Sequence, residues 1–271
     1  MQYPTPPEPS SRQLILLVED NPDVAAYLNS CLPEYRLEFA VDGQEGFDKA
    51  TELIPDLIIS DVMMPRMDGF TLCQHLRNDE RSSHIPIVLL TAKADFESKL
   101  TGLERGADVY LEKPFQPEEL RLRIRKLLEL REKLKQHYLQ SFDLRKLAAL
   151  EEPALEKSEG SFVQKIRECI EVNLSDHTFS IEQLCKAVHL SQRQLQRKLE
   201  ALTGFSPNQF IRSIRLNQAK KLLLDPELSV TAVAYDCGFS DPSYFARVFK
   251  QEFDRRRWSG GKPCAKVFNE V

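Results

Sequence analysis

The sequence contains no Cys-x-x-Cys pair among its six cysteines, and no apolar run approaches the ~18 residues that a membrane-spanning helix needs. No segment is typical of a signal peptide. Scattered cysteines without a pairing pattern are typical of reduced thiols in a cytoplasmic protein. We therefore expect free thiols, a cytoplasmic location and no membrane contact by this chain.

The formal net charge of −4 is unevenly distributed over the 271 residues, a length sufficient for two domains with cores of their own. Residues 1–127 contain 14 Lys and Arg against 22 Asp and Glu (−8), residues 128–160 contain 6 against 7 (−1), and residues 161–271 contain 17 against 12 (+5). An acidic front and a basic back indicate that the back part binds a polyanion.

A short apolar run, Leu57 to Ile59, is followed closely by the carboxylate of Asp61. Such a run is typical of a parallel strand that is buried on both faces, and open α/β sheets carry their chemistry just beyond the carboxyl ends of strands. On this stretch alone, Asp61 is equally compatible with a helix cap, because Asp is common there.

Three further apolar runs favour the chemical interpretation, because each also ends in a polar group. The first ends in the acidic pair Glu19 and Asp20, the second in Thr91, and the third is followed by Lys113. Three carboxylates on one edge of a sheet repel one another unless a cation is present, and Mg²⁺ suits such oxygen ligands. A carboxylate, a magnesium ion and a lysine together predict a site at which Asp61 becomes phosphorylated.

Strand patterns and amphipathic helix patterns alternate through this region. Strands are predicted near 13–18, 36–40, 56–60, 86–90 and 108–111, and helices near 22–32, 43–53, 67–77, 95–105 and from 117 onward. Five successive strand–helix units predict a five-stranded, doubly wound parallel sheet of the flavodoxin-like type.

From about Gln13 to Leu130 the chain resembles the receiver domain of two-component response regulators. The resemblance rests on the identity and spacing of Glu19-Asp20, Asp61, Met64-Pro65, Asp68-Gly69, Thr91-Ala92, Tyr110 and Lys113-Pro114. It implies that Asp61 accepts a phosphoryl group from a histidine kinase. It also implies a magnesium site formed by Asp20, Asp61 and the carbonyl of Met63, with Glu19 acting mostly through water. Thr91 and Tyr110 are then the switch pair, and the Lys113–Pro114 peptide is cis.

The segments flanking the receiver have distinct compositions. Residues 1–11 are rich in proline and form a predicted linker; in hybrid histidine kinases a receiver follows the kinase domain through such a segment, so this chain fits the C-terminal part of one. The receiver is predicted to span 12–130, and 131–160 to be a helical extension and hinge. Leu120, Leu127 and Leu134 repeat every seven residues, which fits either a short coiled-coil seam or one long surface helix.

The last part of the chain, 161–271, is predicted to be wholly helical. Ser180 with Gln183, and Ser191 with Gln194, have capping-box spacing before helices 181–188 and 192–202, and a tight turn joins the two. A long helix to about 224 follows, and a second pair is predicted at 230–236 and from 242 to about 253. The outer faces of helices 192–202 and 242–253 carry Arg, Gln and Ser, which either read DNA bases or form an ordinary solvated surface.

Residues 162–253 resemble the DNA-binding domain of AraC/XylS regulators, through Leu190–Arg197, Gly204–Pro207, Ile211-Arg212, Ala219–Leu223, Val233–Phe239, Ser243–Phe245 and Phe249-Lys250. The resemblance implies two helix-turn-helix units whose recognition helices enter successive major grooves of double-stranded DNA. The matching contact positions are Arg193, Gln196 and Arg197 in the first unit and Ser243 and Arg247 in the second. After Phe253 the sequence departs from the family, and we expect the tail to pack poorly.

Three functions fit these observations. The first is a phosphorylation-controlled DNA-binding transcription regulator that is not an enzyme and that pairs through its receiver. The second is a phosphorelay receiver with weak or vestigial DNA binding. The third is a hydrolase of the aspartyl-phosphate class, which needs an acid close behind the nucleophile, whereas Val62 and Met63 follow Asp61 here.

Overall fold

The computed structural model describes residues 12–92, 106–141, 157–225 and 227–254, which form two compact units. The first unit is built on five parallel strands: β1 (Leu14–Val18), β2 (Arg36–Ala40), β3 (Leu57–Asp61), β4 (Ile87–Ala92) and β5 (Val109–Lys113). Their order in the sheet is β2-β1-β3-β4-β5. This is the doubly wound parallel sheet that the alternating pattern predicts.

The helices of the first unit are α1 (Pro22–Cys31), α2 (Gly43–Leu53), α3 (Gly69–Asn78) and α4 (Pro117–Ser141). They pack on both sides of the sheet: α2 and α3 cover one face, and α1 and the start of α4 cover the other. The central strands are therefore continuously apolar, because residues pointing to either face are buried. The helix predicted near 95–105 lies outside the described residues.

Three helices of this unit begin at the carboxyl edge of the sheet with a side-chain cap. The side chain of Asn21 accepts hydrogen bonds from the start of α1, that of Asp42 from the start of α2, and that of Asp68 from the start of α3. Each cap satisfies a backbone N–H that has no partner within the helix. These capping residues therefore mark the end of each loop between a strand and the following helix at this edge of the sheet.

The burial of leucines in the first half of α4 indicates one long surface helix rather than a coiled-coil seam. Leu120 and Ile124 are fully buried against the sheet, and Leu127 packs partly on the same core. Leu134, one heptad further on, is half-buried. Since the first leucines of the repeat belong to the core of the domain, they are not available for a second helix.

The second unit contains six helices within the described residues: α5 (Lys157–Val172), α6 (Ile181–Ala187), α7 (Gln192–Thr203), α8 (Pro207–Leu222), α9 (Val230–Asp236) and α10 (Pro242–Asp254). The capping boxes predicted at Ser180 and at Ser191 are both formed. Helix α5 begins at Lys157, inside the segment that the sequence predicts to be hinge.

Helices α6 and α7 form one helix-turn-helix, and α9 and α10 form the other, with α8 between them in the chain. The two turns contain His189 at φ 53° and Gly238 at φ 73°. The second helix-turn-helix has a closed apolar core in which Val233, Phe245, Phe249 and Phe253 are buried. The tail that the sequence predicts to pack poorly begins at Asp254, and residues 255–271 lie outside the described part.

Among the helices of the described residues, none combines the length and the apolar character needed to cross a membrane. The five cysteines that the structure describes are free thiols.

Candidate functional site

Three carboxylates meet at the carboxyl edge of the sheet. Carboxylate oxygens of Glu19, Asp20 and Asp61 all lie within 4.8 Å of one another. The pairing of β1 with β3 explains this, because Val18 is opposite Ser60 in the register, so Glu19 and Asp61 come next on adjacent strands. The acidic pair and the single acid that the sequence singles out are therefore brought together by the fold.

Lys113, the last residue of β5, reaches the same cluster. Its Nζ lies 2.9 Å from Oδ1 of Asp61 and 3.3 Å from Oε2 of Glu19. The peptide between Lys113 and Pro114 is cis. One ammonium group thus faces two carboxylates, which leaves an excess of negative charge in the cluster.

The environment of Glu19 reflects this imbalance. Its side chain is 2% exposed, and burial raises the pKa of its carboxyl group, while Lys113 lowers that pKa and Asp61 raises it. Clustered carboxylates of this kind fit a hard divalent cation, which prefers oxygen ligands and offsets their repulsion. The donor set is consistent with the predicted magnesium ion. Met63 lies in the loop after β3, and because a hard cation prefers oxygen to a thioether sulfur, only its backbone carbonyl is suited to such an ion.

The backbone around Asp61 is held tightly. The amide of Val62 donates a hydrogen bond to Asp61 Oδ1 at 2.9 Å, and the amide of Gly69 donates to the Val62 carbonyl at 2.9 Å. A Cβ atom at position 69 would lie 2.1 Å from the carbonyl oxygen of Asp61. Glycine is therefore required where α3 begins, and the close contact fixes the end of β3.

Thr91 and Tyr110 occupy neighbouring strands. Thr91 is buried, and its hydroxyl donates to the Ala92 carbonyl at 3.1 Å. Tyr110 is opposite Leu89 in the β4–β5 register, so Tyr110, Leu89 and Thr91 face the same side of the sheet. The half-buried Tyr110 packs partly on the core beneath α2 and α3.

One ionic contact near the site was not predicted. Asp42 is buried, caps α2 through a bond from the Glu45 amide, and forms an ion pair with Arg66, which has φ 63°. The Asp-Gly signal of a helix start is present in the sequence, but the partner comes from the loop after β3. A local sequence pattern can therefore predict the cap by Asp42 but not its ion pair with Arg66.

The predicted DNA-contact residues lie on two separate helices. On α7, Arg193 and Gln196 are exposed and Arg197 is half-buried, and on α10 both Ser243 and Arg247 are exposed. The guanidinium of Arg247 lies 5.4 Å from the centre of the Tyr244 ring. Each helix therefore presents polar and cationic side chains on one face, with its apolar face in the core.

A lysine on α7 is an exception to that division. Lys198 is 2% exposed, and its Nζ lies 3.9 Å from the centre of the Phe162 ring of α5. This cation–π contact is one of the interactions that stabilise a charged residue inside a helical core. The helical period places position 198 on the buried face, but no local signal identifies Phe162 as its partner.

A doubly wound sheet with carboxylates and a lysine at its carboxyl edge, joined to a unit with two helix-turn-helix motifs, defines a receiver fused to a helix-turn-helix domain. The family described as the response regulator receiver domain matches residues 15–125, and the family described as the helix-turn-helix domain matches residues 184–256. The chain therefore joins a response regulator receiver domain to a helix-turn-helix domain of the AraC type.

Similar proteins include both kinases and regulators. The chain is 34% identical over 244 residues, 90% of its length, to Histidine kinase P4 of Formosa agariphila, of which it spans 18%. It is 43% identical over 45% of its length to the DNA-binding dual master transcriptional regulator RpaA of Synechocystis sp. and 45% identical over 42% to the DNA-binding response regulator MtrA of Mycolicibacterium smegmatis. It spans 52% and 50% of these two regulators.

Proposed function

We propose that this chain is a phosphorylation-controlled, DNA-binding transcription regulator of a two-component system. The observation that carries the proposal is the carboxylate of Asp61, placed at the carboxyl edge of the sheet with Lys113 at 2.9 Å and Glu19 and Asp20 beside it. The proposal is supported by similarity over 45% and 42% of the chain to two proteins whose names describe a DNA-binding transcriptional regulator and a DNA-binding response regulator.

In this proposal Asp61 acts as the nucleophile. Its carboxylate oxygen attacks the phosphorus of a phosphohistidine on a histidine kinase, a P–O bond forms, and the P–N bond to the histidine breaks. The Lys113 ammonium is placed to attract an oxygen of the transferred group. Glu19, Asp20, Asp61 and the carbonyl of Met63 would hold Mg²⁺, which supplies positive charge for the phosphoryl oxygens.

Neighbouring residues change position in response to phosphorylation in this proposal. We propose that Thr91, buried beside the site, and Tyr110, on the same side of the sheet, form the switch pair. The second domain then binds double-stranded DNA through Arg193, Gln196 and Arg197 of α7 and through Ser243 and Arg247 of α10. The kinase is either a separate protein or part of a longer chain, and the regulator acts in the cytoplasm.

The second candidate is a phosphorelay receiver with vestigial DNA binding. Similarity to part of a histidine kinase is compatible with it, because a receiver joined to a kinase can pass its phosphoryl group on, but the match over 90% of the chain extends into the helix-turn-helix part as well. The closed core of the second helix-turn-helix and the formed caps of its helices favour a working DNA-binding domain instead. A hydrolase of the aspartyl-phosphate class is disfavoured, because Val62 and Met63 supply no acid behind Asp61.

Phosphorylation of Asp61 is tested with acetyl phosphate in the presence of Mg²⁺. The wild-type chain is expected to acquire one acid-labile phosphoryl group, and Asp61→Asn none, because the amide is not a nucleophile of comparable strength. Asp48→Asn, on the exposed face of α2, is the matched control and should label normally. Undiminished label on Asp61→Asn would refute the assignment.

DNA binding is tested by selection from a random duplex library with the intact chain, with and without acetyl phosphate. We expect enrichment of a sequence with two contacted segments one helical turn apart, and more of it with the phosphodonor. Labelling without any enriched sequence would favour the phosphorelay candidate.

A further inference from the structure

An open cleft of about 800 Å³ separates the two helix-turn-helix motifs of the second unit. Gln192, the first residue of α7, and Tyr244, near the start of α10, line it from the two recognition helices. Arg212 and Arg215 of α8 line it from the helix between them. The cleft is thus bordered by the amino-terminal ends of both helices that the proposed function places in DNA.

Arg215 is held in place by backbone groups. Its Nη2 donates a hydrogen bond to the Asp176 carbonyl at 2.6 Å, and a Cβ atom at Gly238 would lie 2.9 Å from its Cζ. Its buried Nε has no hydrogen-bond partner among the described residues. Burial lowers the pKa of the guanidinium, which Asp176 and Cys237 partly offset. This cation is therefore fixed and incompletely compensated.

Arg212 is exposed and lies one turn before Arg215 on the same face of α8. Within the parts of the chain that the structure describes, neither arginine has a carboxylate within ion-pair distance. Glu182 is the acidic residue that lines the cleft, and His177 lines it as well. The lining thus contains two guanidinium groups and one carboxylate, whereas Asp176, which acts on Arg215, is not part of the lining. This positive balance of the lining favours an anion.

The geometry of B-DNA places backbone phosphates between the two recognition helices. Helix-turn-helix proteins insert the start of each recognition helix into a major groove. Two successive major grooves on one face of B-DNA are separated by a minor groove. The sugar–phosphate backbones that border that minor groove must therefore cross the protein between the two helices. The cleft lies between the same two helix starts.

We propose that this cleft is a phosphate-binding site for the DNA backbone between the two major-groove segments, with Arg212 as the contacting group and the fixed guanidinium of Arg215 adding positive charge to the same cleft. The inference rests on the proposed function. It assigns to α8 a share of the affinity that does not depend on base sequence, because phosphate contacts position a protein on DNA without reading it. It also adds two residues that the predicted contact set lacks.

The first measurement is the salt dependence of binding to a duplex selected from a random library, with the intact chain. Arg212→Gln is expected to weaken binding to all selected sequences alike and to reduce the slope of log K against log salt by about 0.9, the value for one phosphate contact. Arg212→Lys should retain the slope, since the charge remains. The matched control is Lys221→Gln, which removes one positive charge from the exposed end of the same helix outside the cleft.

The second measurement replaces single phosphates between the two contacted segments by neutral methylphosphonates. One position is expected at which the replacement weakens the wild-type protein but not Arg212→Gln, so that the two changes are not additive. Additive effects at every position, or an Arg212→Gln slope equal to that of Lys221→Gln, would overturn the inference.

Two other results separate the sources of failure. If inorganic phosphate binds the protein in an Arg212-dependent way while no backbone position couples to Arg212, the cleft takes a free anion, and the DNA assignment is overturned. If Arg193→Ala and Arg247→Ala alter sequence preference but Arg212→Gln has no effect, only this inference fails. If no variant or wild-type chain binds duplex DNA above the nonspecific level, the proposed function itself fails.

Discussion

At position 69 the absence of a side chain allows the start of α3 to lie against the end of β3. An added Cβ would stand 2.1 Å from the backbone oxygen of Asp61, which no change of rotamer can relieve. We expect Gly69→Ala to lower the free energy of unfolding by ~2 kcal/mol or more, because a well-packed site must shift its backbone. Urea denaturation measures the loss, and slower labelling by acetyl phosphate should accompany it because Asp61 moves.

Gly46→Ala is the matched comparison for that substitution. The nearest atoms to its added Cβ are the ends of the Val18 side chain at 2.9 and 3.0 Å, which can move by a few tenths of an ångström. The loss there should be smaller, and labelling should be unchanged. Equal losses at both glycines would contradict the importance of the contact with Asp61.

Single residues of the site were predictable to different degrees. The sequence predicts that Asp61, Glu19, Asp20 and Lys113 lie close together, because each comes at the end of an apolar run and parallel strands bring their carboxyl ends to one edge. The distances between these groups were not predictable from the sequence. The contacts of the Lys113 ammonium with both Asp61 and Glu19 depend on the strand register and on the lengths of two side chains. The ion pair of Asp42 with Arg66 joins two loops whose proximity no local pattern encodes.

At the scale of helices and strands, prediction succeeded where a cap or a buried run marks the boundary. The strands were placed within about two residues at their ends, and α6 and α7 begin where the predicted capping boxes at Ser180 and Ser191 indicate. Helix α4 was ambiguous because Leu120, Leu127 and Leu134 satisfy a heptad equally well in a coiled coil and over a sheet. Only the burial of Leu120 against the sheet distinguishes the two.

Both recognition helices, α7 and α10, are predicted to contact DNA through an arginine. Arg197 of α7 and Arg247 of α10 lie mid-way along separate capped helices. Arg197→Ala and Arg247→Ala should each cost ~1–3 kcal/mol of binding free energy if the arginine contacts a guanine, and each should relax preference at one segment of the site. Titrations with the selected duplex and with single-base variants of it measure both effects.

Lys221→Ala serves as the control for these arginines, because Lys221 is exposed on α8 and outside the predicted contact set. If only Arg197→Ala weakens specific binding, the second helix-turn-helix does not dock on DNA. The sequence after Phe253 then becomes the first segment to exchange for a family-like one.

The turn between α9 and α10 gives a pH dependence to the second unit. Cys237 is fully buried, and burial, together with Asp236, raises the pKa of its thiol from 9.0 to about 12, with Arg215 acting in the opposite direction. Between those values the unfolded chain loses the proton and the folded chain keeps it. The unfolded state is therefore favoured as pH rises, by up to about 1.4 kcal/mol per pH unit.

We accordingly expect the free energy of unfolding to fall more steeply from pH 9 to 11 in the wild-type chain than in Cys237→Ala. Urea denaturation of both proteins at each pH measures the difference, in which the titration of the groups that do not interact with Cys237 cancels. Parallel curves would show that the folded thiol titrates near its ordinary value.

At the scale of the whole molecule, the two domains differ in the sign of their net charge. The net charge of residues 1–127 is −8 and that of residues 161–271 is +5, so an acidic receiver accompanies a basic DNA-binding domain. This asymmetry was visible in the sequence and is consistent with the proposed roles. The proposed coupling between the domains is not predictable from any local sequence pattern, because it would depend on an equilibrium between conformations.

The prediction on coupling starts from Thr91 and Tyr110. A phosphoryl group on Asp61 would attract the Thr91 hydroxyl, and the half-buried Tyr110 ring could then turn inward on the same side of the sheet. We expect this change to promote pairing of two receivers. Pairing places two DNA-binding domains on adjacent sites, so affinity for a duplex with two sites should rise far more than for a duplex with one, through effective concentration.

Sedimentation with and without beryllofluoride, a mimic of the phosphoryl group, measures the pairing, and titrations with one-site and two-site duplexes measure its effect. Because phosphorylation shifts an existing equilibrium, some dimer should form without the mimic at high protein concentration. Asp61→Asn should remain at that basal level when beryllofluoride is added, since the attachment point is lost. A protein that stays strictly monomeric with the mimic, with unchanged affinity for the two-site duplex, would exclude pairing as the mechanism and leave a rearrangement within one chain.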